Sequence, residues 1–208
     1  MRRLALVPGL LLVAAAAWGQ LRIEVTVPSK TPLHGHLILV ISKPSEGQSA
    51  NGVTTEPRFE LREDYKSAQG FGVDADGLAP GNPLVIDEKT VGYPLSNLAA
   101  LPVGNYVIQA VFNVYEQFHL ADGRTLWLPP DKGEGQLWNL KPGNPYDVPV
   151  KVHLDPRSSE PIKLTLDKVI PPIKGTDKDP EVIAAKGHAA KWLKFERFKS
   201  EKLSKFWG

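Results

Sequence analysis

Two pairs of side chains carry the spacing of metal chemistry. His34-Gly35-His36 sets two imidazoles two residues apart, and in an extended chain both point to one face, as two ligands of one ion must. The residues around them supply neither a third histidine nor a carboxylate, so His34 and His36 read as histidines at the entry to a strand, and no metal site is expected. Asp74-Ala75-Asp76-Gly77 opens like a calcium loop, but Val85 stands where a bidentate Glu is needed, and the positions between are apolar or proline. Asp76-Gly77 and Pro80-Gly81 read instead as turns.

Three aromatic residues in a loop-rich stretch, Trp127, Trp138 and Tyr146, are the candidate ligand-binding residues. Aromatic faces on a β-scaffold stack on sugar rings, which points to carbohydrate; the same residues also serve to anchor a long loop to a core. Catalytic patterns are absent: there is no cysteine and no Gly-x-Ser-x-Gly, HExxH or glycine-rich phosphate loop. Glu60, Glu63, Asp64 and Glu134 fall in loops or at strand edges, where acids ordinarily keep a surface soluble. No catalytic residue and no cofactor is therefore expected.

The elements that must position these residues are strands. The stretch 101–115 is the clearest: after Pro102 and Gly104, the residues Tyr106, Ile108, Ala110, Phe112 and Val114 share one face. Val107, Gln109, Val111, Asn113 and Tyr115 share the other, so one face is apolar and the other mixed, as in a central strand of an antiparallel sheet. Gly104-Asn105-Tyr106 has the spacing of a tyrosine corner, in which a hydroxyl ties back to upstream backbone; a plain half-buried strand tyrosine is the commoner reading of such a triplet. Residues 21–27, 36–42, 148–154 and 161–166 alternate or run apolar as further strands. Short strands are expected at 57–62, 71–73 and 84–87, and Asp122-Gly123 closes a hairpin between 115–120 and 125–128. Seven to nine strands at this spacing predict an all-β fold, an Ig-like antiparallel β-sandwich over residues 20–172.

Composition sets the surroundings. The chain has 208 residues with 25 basic and 23 acidic side chains, a net charge of +2 that asks for no nucleic acid. Arg2-Arg3, an apolar run at 4–13 and small residues to Gly19 have the layout of a secretory signal peptide, residues 1–19, too short for a stable membrane span. Export to the periplasm or the extracellular space is the expectation. The 19 prolines and 18 glycines lie between apolar runs and serve as turns. Residues 173–208 form a linker and C-terminal extension, helical in part, with a helix start at Asp179-Pro180-Glu181 and an undecided stretch at 191–198.

The ordered motifs Leu101-Pro102-x-Gly104-x-Tyr106-x-x-Gln109-Ala110, Gln136-x-Trp138, Pro142-Gly143-Asn144-x-Tyr146 and Leu203-Ser204-x-Phe206-Trp207-Gly208 together resemble the N-terminal non-catalytic region of secreted bacterial esterases. In that family a β-sandwich-like region precedes an α/β-hydrolase domain. The resemblance implies an accessory module of an esterase-like hydrolase, with the hydrolase domain as its partner and a polysaccharide or ester as the substrate of the whole. It also implies that the apolar residues of the C-terminal extension are covered by that domain. The Ser, acid and His of a hydrolase triad have no counterpart in these residues. A free-standing exported sandwich that binds carbohydrate or another envelope component is the alternative.

Overall fold

A computed structural model describes residues 20–44, 56–64, 66–172 and 199–207. The expected signal peptide at 1–19, the expected helix start at 179–181 and the undecided stretch at 191–198 lie outside the described residues. What is described is all-β, with one short helix, α1 (Glu201–Trp207), at the C-terminal end.

Two sheets carry the fold. In the smaller, β1 (Ile23–Thr26) lies between β4 (Leu84–Ile86), which runs antiparallel to it, and β11 (Ile162–Thr165), which runs parallel. In the larger, the order is β12 (Lys168–Val169), β9 (Pro145–Tyr146), β6 (Gly104–Val114), β2 (Leu33–Ser42), β3 (Gln69–Leu78) and β5 (Gly92–Tyr93), all antiparallel. β10 (Val150–Leu154) also pairs with β6, next to its N-terminal half. β9 and β10 thus share one edge of β6, and the chain passes between them through Asp147, Val148 and Pro149, whose proline brings no ladder donor. β7 (Glu116–His119) and β8 (Thr125–Leu128) form the expected hairpin around Asp122-Gly123. The extra strands over the expected count are the two-residue β5, β9 and β12, too short to leave a periodic signal.

Alternation decides which side chains enter the core. Ile23 and Val25 of β1 meet Leu84, Ile86 and Leu164 of its neighbours, and Leu37, Leu39 and Ile41 of β2 meet Phe71 and Ala75 of β3 and Ile108, Ala110 and Phe112 of β6. One apolar cluster thereby joins the inner faces of both sheets, as in a sandwich. Tyr106 closes the end of this cluster, and its hydroxyl donates to Pro102 O at 2.8 Å, the geometry of a tyrosine corner.

The outer face of the large sheet is where the structure departs from expectation. Residues 57–62 are not a strand: Pro57–Phe59 is a single 3-10 turn, because the segment crosses over β6 instead of pairing with an edge. Residues 71–73 belong to a ten-residue strand, β3, that also takes in Asp74-Ala75-Asp76-Gly77. Gly77 makes no turn between elements. It sits at φ +69° where the register slips between His34↔Asp76 and Leu33↔Leu78, the position of the extra residue of a β-bulge.

Candidate functional site

The two histidines point to the outer face of β2, and the register of β3 brings a carboxylate to each. His36 Nδ1 lies 2.6 Å from Asp74 Oδ1, and His34 Nδ1 lies 3.1 Å from Asp76 Oδ1. The expectation that no carboxylate stands nearby is corrected: antiparallel pairing supplies two, from 38 and 42 residues downstream. Even so, the pairs do not converge on an ion. The His36 ring lies along β3 so that its Nε2 occupies the space a Cβ on Gly72 would need, whereas the His34 ring end lies near Gly77. Gly72 and Gly77 flank the two aspartates, so the free nitrogens diverge. No group of three or more His, Asp or Glu side chains is placed to hold a metal ion among the described residues.

A polar row continues from this pair across the sheet. Asn113 of β6 stands opposite His36, and its Oδ1 accepts from Lys141 Nζ at 2.7 Å and from Asn144 Nδ2 at 3.3 Å. Lys141 also donates to Val114 O at 2.6 Å and is almost fully buried, and that burial lowers its pKa. Burial, and secondarily the charge of Asp74, raises the pKa of Tyr115 at the end of the same strip.

Beside the row, toward β5, lies an open groove of about 960 Å³. Its floor is the outer face of β2 and β3 at His36, Ile38, Gly70 and Gly72. Arg62 and Glu63 contribute one wall, Val91 and Tyr93 another, and Leu137, Trp138 and Asn139 a third. Tyr93 is 51% exposed and Trp138 is half-buried, so both rings are part of the groove surface and not of the core.

The wall that carries Trp138 is fastened by a buried network. Gln109, fully buried on β6, accepts from Arg58 N at 3.1 Å and donates to Glu56 Oε2 at 2.8 Å and Asp147 O at 2.9 Å. Arg58 Nη1 donates to Asn139 O at 3.3 Å, and Asn139 Nδ2 donates back to Arg58 O at 3.0 Å. The Arg58 guanidinium rests on the Tyr146 ring, 4.3 Å from its centroid.

Of the three aromatic candidates, only Trp138 lines the groove. Tyr146 is half-buried under Arg58 and anchors the wall from behind. Trp127, 38% exposed on β8, stacks on His34 with ring centroids 3.6 Å apart, at the far end of the polar row. Glu134, read as a surface acid, is buried and accepts from Lys132 N at 2.7 Å, because a tight loop folds its carboxylate back onto its own backbone. The groove residues Arg62, Tyr93 and Asn139 carried no sequence signal of their own, and His36 read only as a strand-entry histidine, since the four segments that bear them converge only in the folded chain.

Fold and groove together define an all-β, sandwich-like chain with one aromatic-walled groove on the outer face of its larger sheet. Comparison with protein-family models, with curated proteins and with solved structures returns no match.

Proposed function

We propose that this chain is a non-catalytic binding module whose groove holds a saccharide segment, and that it serves as the accessory N-terminal module of a secreted esterase-like α/β-hydrolase. The groove carries the binding half of the proposal. It has the volume of an ordinary ligand site, two aromatic rings at its surface and hydrogen-bonding groups at His36, Arg62, Glu63 and Asn139. Stacking faces set among polar groups suit a ring with an apolar face and hydroxyl edges. The accessory half is supported by the resemblance of the ordered motifs to esterase N-terminal regions and by the leader-like residues 1–19. Leu203 and Phe206 of α1, each 60% exposed, are apolar groups that a following domain would cover.

Retention on insoluble neutral polysaccharides, with titration of cellohexaose and xylohexaose by calorimetry, tests the binding. Trp138→Ala and Tyr93→Ala are each expected to weaken affinity about tenfold, on the scale of one aromatic contact, with the melting temperature little changed. Wild-type protein that neither is retained nor takes up either oligosaccharide refutes the groove assignment. A free-standing exported glycan binder would use the same groove; reading the gene past codon 208 for a Gly-x-Ser-x-Gly domain separates the two.

A further inference from the structure

We propose that His36 is the specificity-determining contact of this groove, accepting a ligand hydroxyl through Nε2, and that Asp74 is the positioning residue that holds the proton of the neutral ring on Nδ1. The proposal rests on the saccharide reading above and adds to it the polarity of one contact. A carboxylate can only accept, so the 2.6 Å contact between Asp74 Oδ1 and His36 Nδ1 places the proton on Nδ1 and leaves a lone pair on Nε2. A carboxylate on the second nitrogen orients and tautomerises an imidazole in the same way where histidine serves as a ligand.

The position of the ring is built into the strand. His36 and Gly72 both line the groove, and the imidazole lies where any side chain at residue 72 would have to be. Glycine there lets the ring lie flat along β3 with Nε2 at the groove floor. His34, on the same face, is turned away and covered by Trp127, so of the two only His36 presents to the groove.

Other polar and charged groups lie around this site. They are Asp74 and Asp76 of β3, His34 of β2, Arg62 and Glu63 of the loop before β3, Tyr93 of β5, and Tyr115 with Lys141 beyond Asn113.

The test pairs a ligand-free readout with a binding one. Nitrogen-15 NMR of the imidazoles at pH 8 is expected to show His36 as the Nδ1–H tautomer in wild type and as Nε2–H in Asp74→Asn, whose amide can offer a donor to Nδ1. Titration with cellohexaose and xylohexaose is expected to show at least fivefold weaker binding in Asp74→Asn and in Gly72→Ala. His36→Gln, which keeps an acceptor oxygen in place of Nε2, is expected to retain most of the wild-type affinity. An Nε2–H tautomer in wild type overturns the inference even if the sugars bind. The expected tautomer with sugar affinity unchanged in Asp74→Asn and Gly72→Ala also overturns it and leaves the groove assignment standing. Failure of wild type to bind either sugar overturns the groove assignment and the inference with it.

Discussion

Asp147 is the residue whose replacement should change the protein most with pH. It is 3% exposed, at the crossing between β9 and β10. Its Oδ1 accepts from Ala110 N at 2.7 Å, and its Oδ2 is buried with no partner. Burial raises its pKa from 3.8 to about 7; the hydrogen bonds from Ala110 and from its own backbone oppose the rise, and the negative charge of Asp167 adds to it. The sign follows from proton binding. Between pH 4 and 7 the folded chain holds a proton that the unfolded chain has lost, so stability falls as pH rises through this window and is level above it. Each tenfold change in proton affinity is worth 1.36 kcal/mol, so moving the carboxyl from 3.8 to about 7 costs the ionised folded state about 4 kcal/mol.

Asp147→Asn removes that cost. Its amide oxygen keeps the bond from Ala110 N–H, and its NH₂ replaces a carboxyl O–H that also lacks a partner, so variant and wild type should be nearly equal in stability at pH 4. By pH 8 the variant is expected to be more stable by about 2 to 4 kcal/mol, a large share of the usual 5 to 15 kcal/mol of a domain. Urea denaturation followed by tryptophan fluorescence at pH 4, 5, 6, 7 and 8 gives the difference directly, and every other titrating group cancels between the two proteins. A difference that stays flat from pH 4 to 8, or that favours wild type more as pH rises, would refute the assignment of a buried, strained carboxylate.

Two further substitutions test the scaffold. Tyr106→Phe deletes the hydroxyl that donates to Pro102 O and is expected to cost about 1 kcal/mol in urea denaturation, the usual net worth of such a bond; no loss would mean that the corner contributes nothing. Phe112→Ala empties a fully buried ring position between the sheets and is expected to cost about 3 to 5 kcal/mol, read as a shift of the denaturation midpoint with unchanged slope.

What was legible in the sequence was whatever depends on local period. Leu21, Ile23, Val25 and Val27 alternate and are all buried; the two faces of β6 separate as their residues predict; and the hairpin at Asp122-Gly123 forms where the dipeptide says. Trp138 was legible as an aromatic outside the core because it sits in a loop where no strand period demands it, and it lines the groove. What failed did so for identifiable reasons. Asp76-Gly77 looked like a turn because a bulge and a turn both select a residue that tolerates positive φ. The His–Asp pairs were hidden because register across 38 residues is a property of the sheet, not of either strand. Glu134, Lys141 and Asp147 are polar residues in loop sequence, and nothing local tells a loop acid in water from one folded under the wall of a groove.

Those buried polar groups explain how the groove can exist at all. The outer face of a sandwich sheet is ordinarily solvated, and a long loop laid across it has few apolar residues with which to hold on. Here the covering segments attach by hydrogen bonds. Gln109 clasps the Pro57–Phe59 turn and the backbone of Asp147, Asn139 exchanges bonds with Arg58, and Lys141 and Asn144 tie the end of the Trp138 segment to Asn113 and Val114. Over Gln109 and Val111 the cover is complete and both are fully buried. Beyond it, at Ile38 of β2 and at Gly70 and Gly72 of β3, the sheet is left open and floors the groove. Two glycines there keep the floor low, and a third, Gly92, faces Phe71 so closely that a Cβ would strike its ring. The wall bearing Trp138 is therefore fixed by a network of hydrogen bonds among buried and half-buried groups. Such a wall can present an aromatic ring at constant position without a core of its own, and that is the property a stacking site needs.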